Sequence, residues 1–158
     1  MLMLAFAFAA CGSTKHESAS TILSQGLAAQ LKGDDAAASA DYLAVIARQP
    51  GNYVAWYDLG VIAQKKSDAG SAAHDYDEAL AANPNYVPAL FNLAILETKL
   101  DPAKAATLYQ QILALQPTNA GAHLNYGFLL ESMGQTVAGK SEIAHALALD
   151  PSLGKPRA

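Results

Sequence analysis

Cysteine is nearly absent: Cys11 stands alone among 158 residues, so no disulfide within the chain can staple a small fold. Stability must then come from apolar packing. Basic clusters are missing too. Ten Lys and Arg stand against fourteen Asp and Glu, for a formal charge of -4, and Lys65-Lys66 is the longest basic run. That balance argues against nucleic acid or an anionic membrane surface as an electrostatic partner, since both attract clustered cations. Lys65-Lys66 itself reads as a solvated helix end near the negative pole of the helix dipole. The wholly apolar stretch Met1 to Ala10 is about half of what a membrane-crossing helix needs.

Constellations that carry chemistry are equally scarce. No two of His16, His74, His123 and His145 are three or four residues apart, and none has Cys or paired carboxylates at metal-ligand spacing. A G-x-S-x-G elbow is lacking, and Cys11 has no local His beyond His16. There is no Gly-rich phosphate loop. Asp34-Asp35, directly after Gly33, reads as a helix cap at the positive end of its dipole. No catalytic residue, metal site or cofactor is expected, and the chain is read as non-enzymatic.

What the chain does carry is a period. In Tyr53 to Tyr86, Trp56, Leu59 and Ala63 recur at helical spacing on a first helix, and Ala72, Tyr76, Ala79 and Leu80 do so on a second. Small Gly60 and Ala72 let two backbones approach while Trp56 and Tyr76 fill the space on either side, which predicts an antiparallel helical hairpin. One hairpin cannot bury its own apolar faces, so copies must stack on it.

Three further copies are in register. Ala19 to Asn52 carries Ile22, Gly26, Ala38, Tyr42, Val45, Ile46 and Pro50. Val87 to Asn119 carries Leu90, Leu93, Ala94, Ala105, Tyr109, Ile112, Leu113 and Pro117, after loss of one residue in its turn. In that turn, Leu100-Asp101-Pro102, Asp101 can cap the second helix and Pro102 suits its first position. Ala120 to Leu153 carries Tyr126, Gly127, Leu130, Ile143, Ala146, Leu147 and Pro151. Uninterrupted register with a closing Pro in each copy separates this chain from an ordinary alanine-rich helical bundle.

The spacing Trp56, Leu59, Gly60, then Ala72, Tyr76, Ala79, Pro84 resembles the tetratricopeptide repeat, a helical hairpin of 34 residues. The resemblance implies an all-α fold, a right-handed superhelical solenoid of four hairpins with repeats at 19–52, 53–86, 87–119 and 120–153. His74 and His145 then fall on second helices, and His123 takes the place of Trp56 as part-buried packing.

The resemblance also implies a groove. In that family the first helices line a concave face through the fifth, sixth and ninth residues of each repeat. Here the fifth and ninth are Leu23 and Leu27, Tyr57 and Val61, Phe91 and Ile95, Leu124 and Phe128, all apolar or aromatic. The sixth are Ser24, Asp58, Asn92 and Asn125. A row of large apolar side chains marks a binding surface, and Asn92 and Asn125 can both donate to and accept from a peptide backbone. The same residues could instead pack between neighbouring first helices, a reading as good as binding for Leu23 and Leu27. Capture of a partner's C-terminal carboxylate by Lys and Arg is set aside, because Tyr57, Phe91 and Leu124 hold those positions.

Ahead of the repeats, Met1 to Ala10 reads as the apolar core of a signal peptide without its basic n-region. Residues 8–11, Phe-Ala-Ala-Cys, resemble the cleavage box of bacterial lipoproteins, with Phe8 where that family usually has Leu. By that likeness Cys11 is lipidated, residues 11–18 form a short tether, and residues 154–158 a tail. Conventional cleavage after Ala9 or a cytoplasmic chain with an apolar start are the alternatives. With Gly12 after the Cys instead of the Asp of inner-membrane retention, the expected place in a Gram-negative cell is the outer membrane, facing the periplasm.

At the far end, no polar capping helix follows Pro151, so the last helix is expected to leave part of an apolar face around Ile143 and Leu147 for a partner or a second copy. The reading of function is a non-enzymatic scaffold that holds a protein or peptide in its groove during assembly of an envelope complex. It resembles the tetratricopeptide lipoproteins that serve pilus or outer-membrane complex assembly. The alternative is a structural protein that self-associates through its last helix.

Overall fold

The computed structural model describes residues 17–154. The stretch expected to be a signal peptide, Cys11, His16 and the tail from residue 155 lie outside the described residues. Within them are α1 (Ala19–Leu31), α2 (Asp35–Arg48), α3 (Tyr53–Lys65), α4 (Ala69–Ala82), α5 (Val87–Leu100), α6 (Pro102–Leu115), α7 (Ala120–Ser132) and α8 (Thr136–Leu149), then a 3-10 turn over Pro151–Gly154. Consecutive helices pair as hairpins, and each hairpin packs on the next through α2 on α3, α4 on α5 and α6 on α7. The fold is an all-α solenoid of four tetratricopeptide hairpins.

Short polar residues start these helices. Asp34, Asn52, Asp68 and Asn119 each accept a backbone N–H three residues on, at 3.0 to 3.1 Å. Asp101 accepts two, from Ala103 and Lys104, and Pro102 follows it at the first position of α6. Each such cap contributes about 1 kcal/mol. Asp35 does something else: it reaches Lys65 Nζ of α3 at 2.7 Å. Between the paired helices the chain turns through a left-handed residue, Gly33 and Gly134 at φ 80° and Ser67 at φ 61°. The third hairpin, one residue shorter, turns at Asp101 without that conformation.

The core repeats with the sequence. Ala38, Tyr42 and Val45 of α2 are fully buried, as are Ala72, Tyr76 and Ala79 of α4, and the same places in α6 are Ala105, Tyr109 and Ile112. The tyrosine rings lie across the first helices where residues are small. A Cβ on Gly60 would stand 2.6 Å from Tyr76 Cε1, inside van der Waals contact. The fourth hairpin has no tyrosine there, and α7 and α8 close further: a Cβ on Gly127 would meet the Gly139 carbonyl oxygen at 2.8 Å and Ile143 Cγ1 at 2.6 Å.

Stacking has its own signature. Ala55, Ala89 and Ala122, the third residues of repeats two to four, are fully buried because the preceding hairpin rests on them. In the first repeat that place is Thr21, which is exposed. Three of the four proline carbonyls that close the repeats are taken by a side chain. Trp56 Nε1 donates to Pro50 O at 2.8 Å, Gln111 Nε2 to Pro84 O at 2.9 Å, and His123 Nε2 contacts Pro117 O at 3.0 Å. His123 thus replaces Trp56 in bonding as well as in position, and its Nδ1 lies 2.6 Å from Glu142 Oε2.

Buried side chains form two clusters that meet at α3. Ala55 and Ile62 face the cluster of the first hairpin, whereas Trp56, Tyr57, Val61 and Ala63 pack against the larger cluster of the other three.

The concave groove as candidate functional site

A buried tyrosine ring must place its hydroxyl on a partner. Tyr42 Oη donates to Gln30 Oε1 at 2.5 Å and Tyr76 Oη to Gln64 Oε1 at 2.7 Å, so each second helix is tied to the first helix of its own hairpin. The following repeat joins in: Asn92 Nδ2 donates to Tyr76 Oη at 3.2 Å and Tyr57 Oη at 3.5 Å. Burial pushes the Tyr76 hydroxyl up to about 12, against the opposing effect of the Asn92 bond. Tyr109 is likewise raised by burial, with Thr98 and Asn125 acting the other way. These contacts form the polar floor of the groove. The Asn92 amide therefore has a donor engaged within the chain rather than free for a peptide.

The two apolar rows differ. Fifth residues sit at the joints between repeats and are half-buried. Leu23 borders a recess with the loop from Gln49 to Val54, the Tyr57 ring lies 5.3 Å from that of Tyr86 ahead of α5, and Phe91 Cζ faces Gly121 of α7. Leu124 occupies the same place in the last repeat, also half-buried. Ninth residues form the lip: Leu27 is 39% exposed, Ile95 41% and Phe128 55%, with Val61 half-buried.

Between α5 and α7 the groove opens into a pocket of about 400 Å³ lined by Ile95, Thr98, Lys99, Tyr109, Asn125, Phe128, Leu129 and Ser132. Of the residues expected from sequence, it gathers Ile95, Asn125 and Phe128. Tyr109, Thr98 and Leu129 were not singled out there. The sign available for Tyr109 was its shared register with Tyr42 and Tyr76, two of which have Gln twelve residues earlier.

Asp58 is the outlier. It is only 8% exposed, and its Oδ2 has no hydrogen-bond partner. Loss of water pushes its carboxyl up from 3.8 to about 6. Its charge in turn raises Tyr42, Tyr57, Tyr76 and Tyr86, in each of which burial is the larger cause.

The remaining expected residues lie elsewhere. Ile143 faces Gly127, and Leu147 lies against the 3-10 turn, both half-buried, while Val137 on α8 is 87% exposed. His74 stands edge-on to Trp56, and His145 stacks on His123 with centroids 4.3 Å apart. Among the described residues no group of His, Cys, Asp and Glu could hold a metal, and no helix is long and apolar enough to cross a membrane.

Two family models, both described as tetratricopeptide repeat, match residues 53–86 and 108–140. No curated protein matches the chain. Among solved structures it is similar to the crystal structure of MamA, at 19% identity over 88% of this chain and 82% of that one, with a TM-score of 0.78. MamA from Desulfovibrio magneticus is similar at 19% identity over 87% and 78%, TM-score 0.74. A tetratricopeptide repeat protein from Parabacteroides merdae is similar at 22% identity over 84% of this chain and 54% of that one, TM-score 0.76. At such identities the likeness is one of fold. Repeats of this kind generally serve as non-catalytic interaction surfaces. With hairpin register, tyrosine wedges and two matching repeat models in agreement, the chain carries tetratricopeptide repeats and has the solenoid fold of a protein-interaction scaffold.

Proposed function

We propose that this chain is a non-enzymatic scaffold, anchored at the bacterial envelope through lipidated Cys11, that holds an apolar peptide segment of a partner in its groove during assembly of an envelope complex. The observation that carries the groove is the pocket beside Phe128. Ile95 and Phe128 stand in solvent around a concavity with Asn125 and Thr98 at its polar edge, an arrangement that suits apolar side chains on a hydrogen-bonded main chain. The anchor rests on the sequence around Cys11 alone.

Ile95→Ser and Phe128→Ser separate binding from folding, since both side chains are exposed. Each should weaken an apolar peptide, followed by fluorescence anisotropy, about tenfold or more while leaving the unfolding midpoint within about 0.5 kcal/mol of the parent. Unchanged affinity in both would remove the groove. For the anchor, a clickable palmitate analogue fed to cells should label the native chain and not Cys11→Ser, which should also leave the membrane fraction. A second reading, self-association through α8, draws on Val137 and the half-buried Ile143 and Leu147. It requires a concentration-dependent mass in sedimentation that Val137→Lys abolishes.

A further inference from the structure

One polar group of the groove has no answer from its own chain. Asp58 is more than nine-tenths buried, and its Oδ2 meets no donor. The hydroxyl of Tyr42, raised by burial first and then by the charge of Asp58, is already committed to Gln30. The corresponding residues of the next two repeats are amides, Asn92 and Asn125. Cations do not reach Asp58 either: the ion pairs among the described residues join Lys65 to Asp35, Lys104 to Asp77 and Glu97, and His123 to Glu142.

Aromatic rings meet one another where α3 packs on α4 and on the approach to α5. Tyr57 and Tyr86 meet at 5.3 Å and 87°, Tyr53 and Tyr86 at 4.8 Å, and Tyr57 and Tyr76 at 5.8 Å. The groups that sense the charge of Asp58 come from every packed element: Tyr42 of α2, Tyr57 of α3, Tyr76 of α4 and Tyr86 ahead of α5. All of them are uncharged hydroxyls at neutral pH. A carboxylate that has lost water and gained no counter-charge gives a cation its desolvated partner in advance, so less is lost on binding than for a hydrated pair. Tyrosine faces add attraction for the same charge, and the net charge of -4 draws cationic segments toward the chain.

We propose that Asp58, with the rings of Tyr57 and Tyr86, forms a subsite of the groove that receives an arginine or lysine side chain of the bound segment. This rests on the groove reading above and specifies the chemistry of one residue of the occupant. The segment then carries a basic residue toward Asp58 and apolar residues toward Phe128. A neutral occupant whose backbone N–H alone reaches Oδ2 is the competing outcome.

The test uses fluorescein-labelled apolar peptides that are identical except for Arg, citrulline or Glu at the centre, titrated against the full chain by anisotropy. At about pH 7.5 the Arg peptide should bind about tenfold tighter than its citrulline twin, and the Glu peptide weakest. The Arg-to-citrulline ratio should fall toward one at about pH 5, where Asp58 is protonated, and in Asp58→Asn, whose fold circular dichroism verifies. Tyr86→Leu should lower the ratio about threefold, by loss of the ring face; an unchanged ratio there removes the aromatic part. Equal affinities of the Arg and citrulline peptides for the native chain, or a preference that survives Asp58→Asn, overturn the subsite and leave the groove standing. If no peptide binds, or Phe128→Ser leaves citrulline-peptide binding untouched, the groove fails and the subsite with it.

Discussion

The groove has two ends built from the same register and finished differently. At Asp58 the carboxylate is buried, its Oδ2 lacks a donor, and little of the side chain is left in solvent. Around Phe128, the polar groups are few and peripheral and the apolar ones stand free. The difference follows from stacking. Tyr57 and Phe91, fifth residues, are covered by the start of the next repeat and become joints, whereas Ile95 and Phe128, at the ninth position, stay exposed around the pocket. One hairpin design therefore yields a charged, enclosed end and an oily, open one.

Tyr76 ties the second repeat to the third, and its loss should do the most damage. Tyr76→Ala removes a fully buried ring together with the hydroxyl that ties Gln64 and Asn92, and should cost about 3–5 kcal/mol in urea denaturation. Tyr76→Phe, which keeps the ring, should cost about 1 kcal/mol. Gly127→Ala acts on the Phe128 end alone. Its Cβ would press on the Gly139 carbonyl, which cannot rotate away, so the loss should be about 3 kcal/mol. Hydrogen exchange should rise in α7 and α8 with little change in α1 and α2, since repeats couple mainly to their neighbours.

Asp58→Asn acts on the other end with the opposite sign. The folded chain binds the Asp58 proton more tightly than the unfolded one, so stability should decline as pH rises from about 4 to about 6 and level off above that. The variant should lose this slope and be about 2 kcal/mol more stable at pH 7, read from urea midpoints across the pH range. Smallest of all, Ser67→Gly relieves a left-handed serine in the Asp58 half that is already glycine at Gly134 in the Phe128 half. It should raise stability by about 0.5 kcal/mol, a shift in melting temperature of a few degrees at most.

Much of this architecture was legible in the sequence because it is periodic. Gly60, Tyr76, Ala79 and Pro84 announce their partners by distance along the chain, and the shortened turn at Asp101-Pro102 could be read from capping chemistry. Asp101 does cap α6, and Asp34 caps α2. What register could not separate was the fifth position from the ninth, since both rows are apolar and only the angle between successive hairpins decides which is covered. Asn92 was legible as a groove residue but not as a donor bound to Tyr76, because that bond crosses from one repeat to the next. Asp58 lay further out of reach. That its Oδ2 is buried without a donor is a fact of three-dimensional packing rather than of spacing.

The two-faced helix α3 sets an order of melting. Because its Ala55 and Ile62 serve one apolar cluster and its Trp56 and Val61 another, the first hairpin can peel away while the larger cluster stays dry. On warming, hydrogen exchange should therefore rise in α1 and α2 before it rises in α5 to α8.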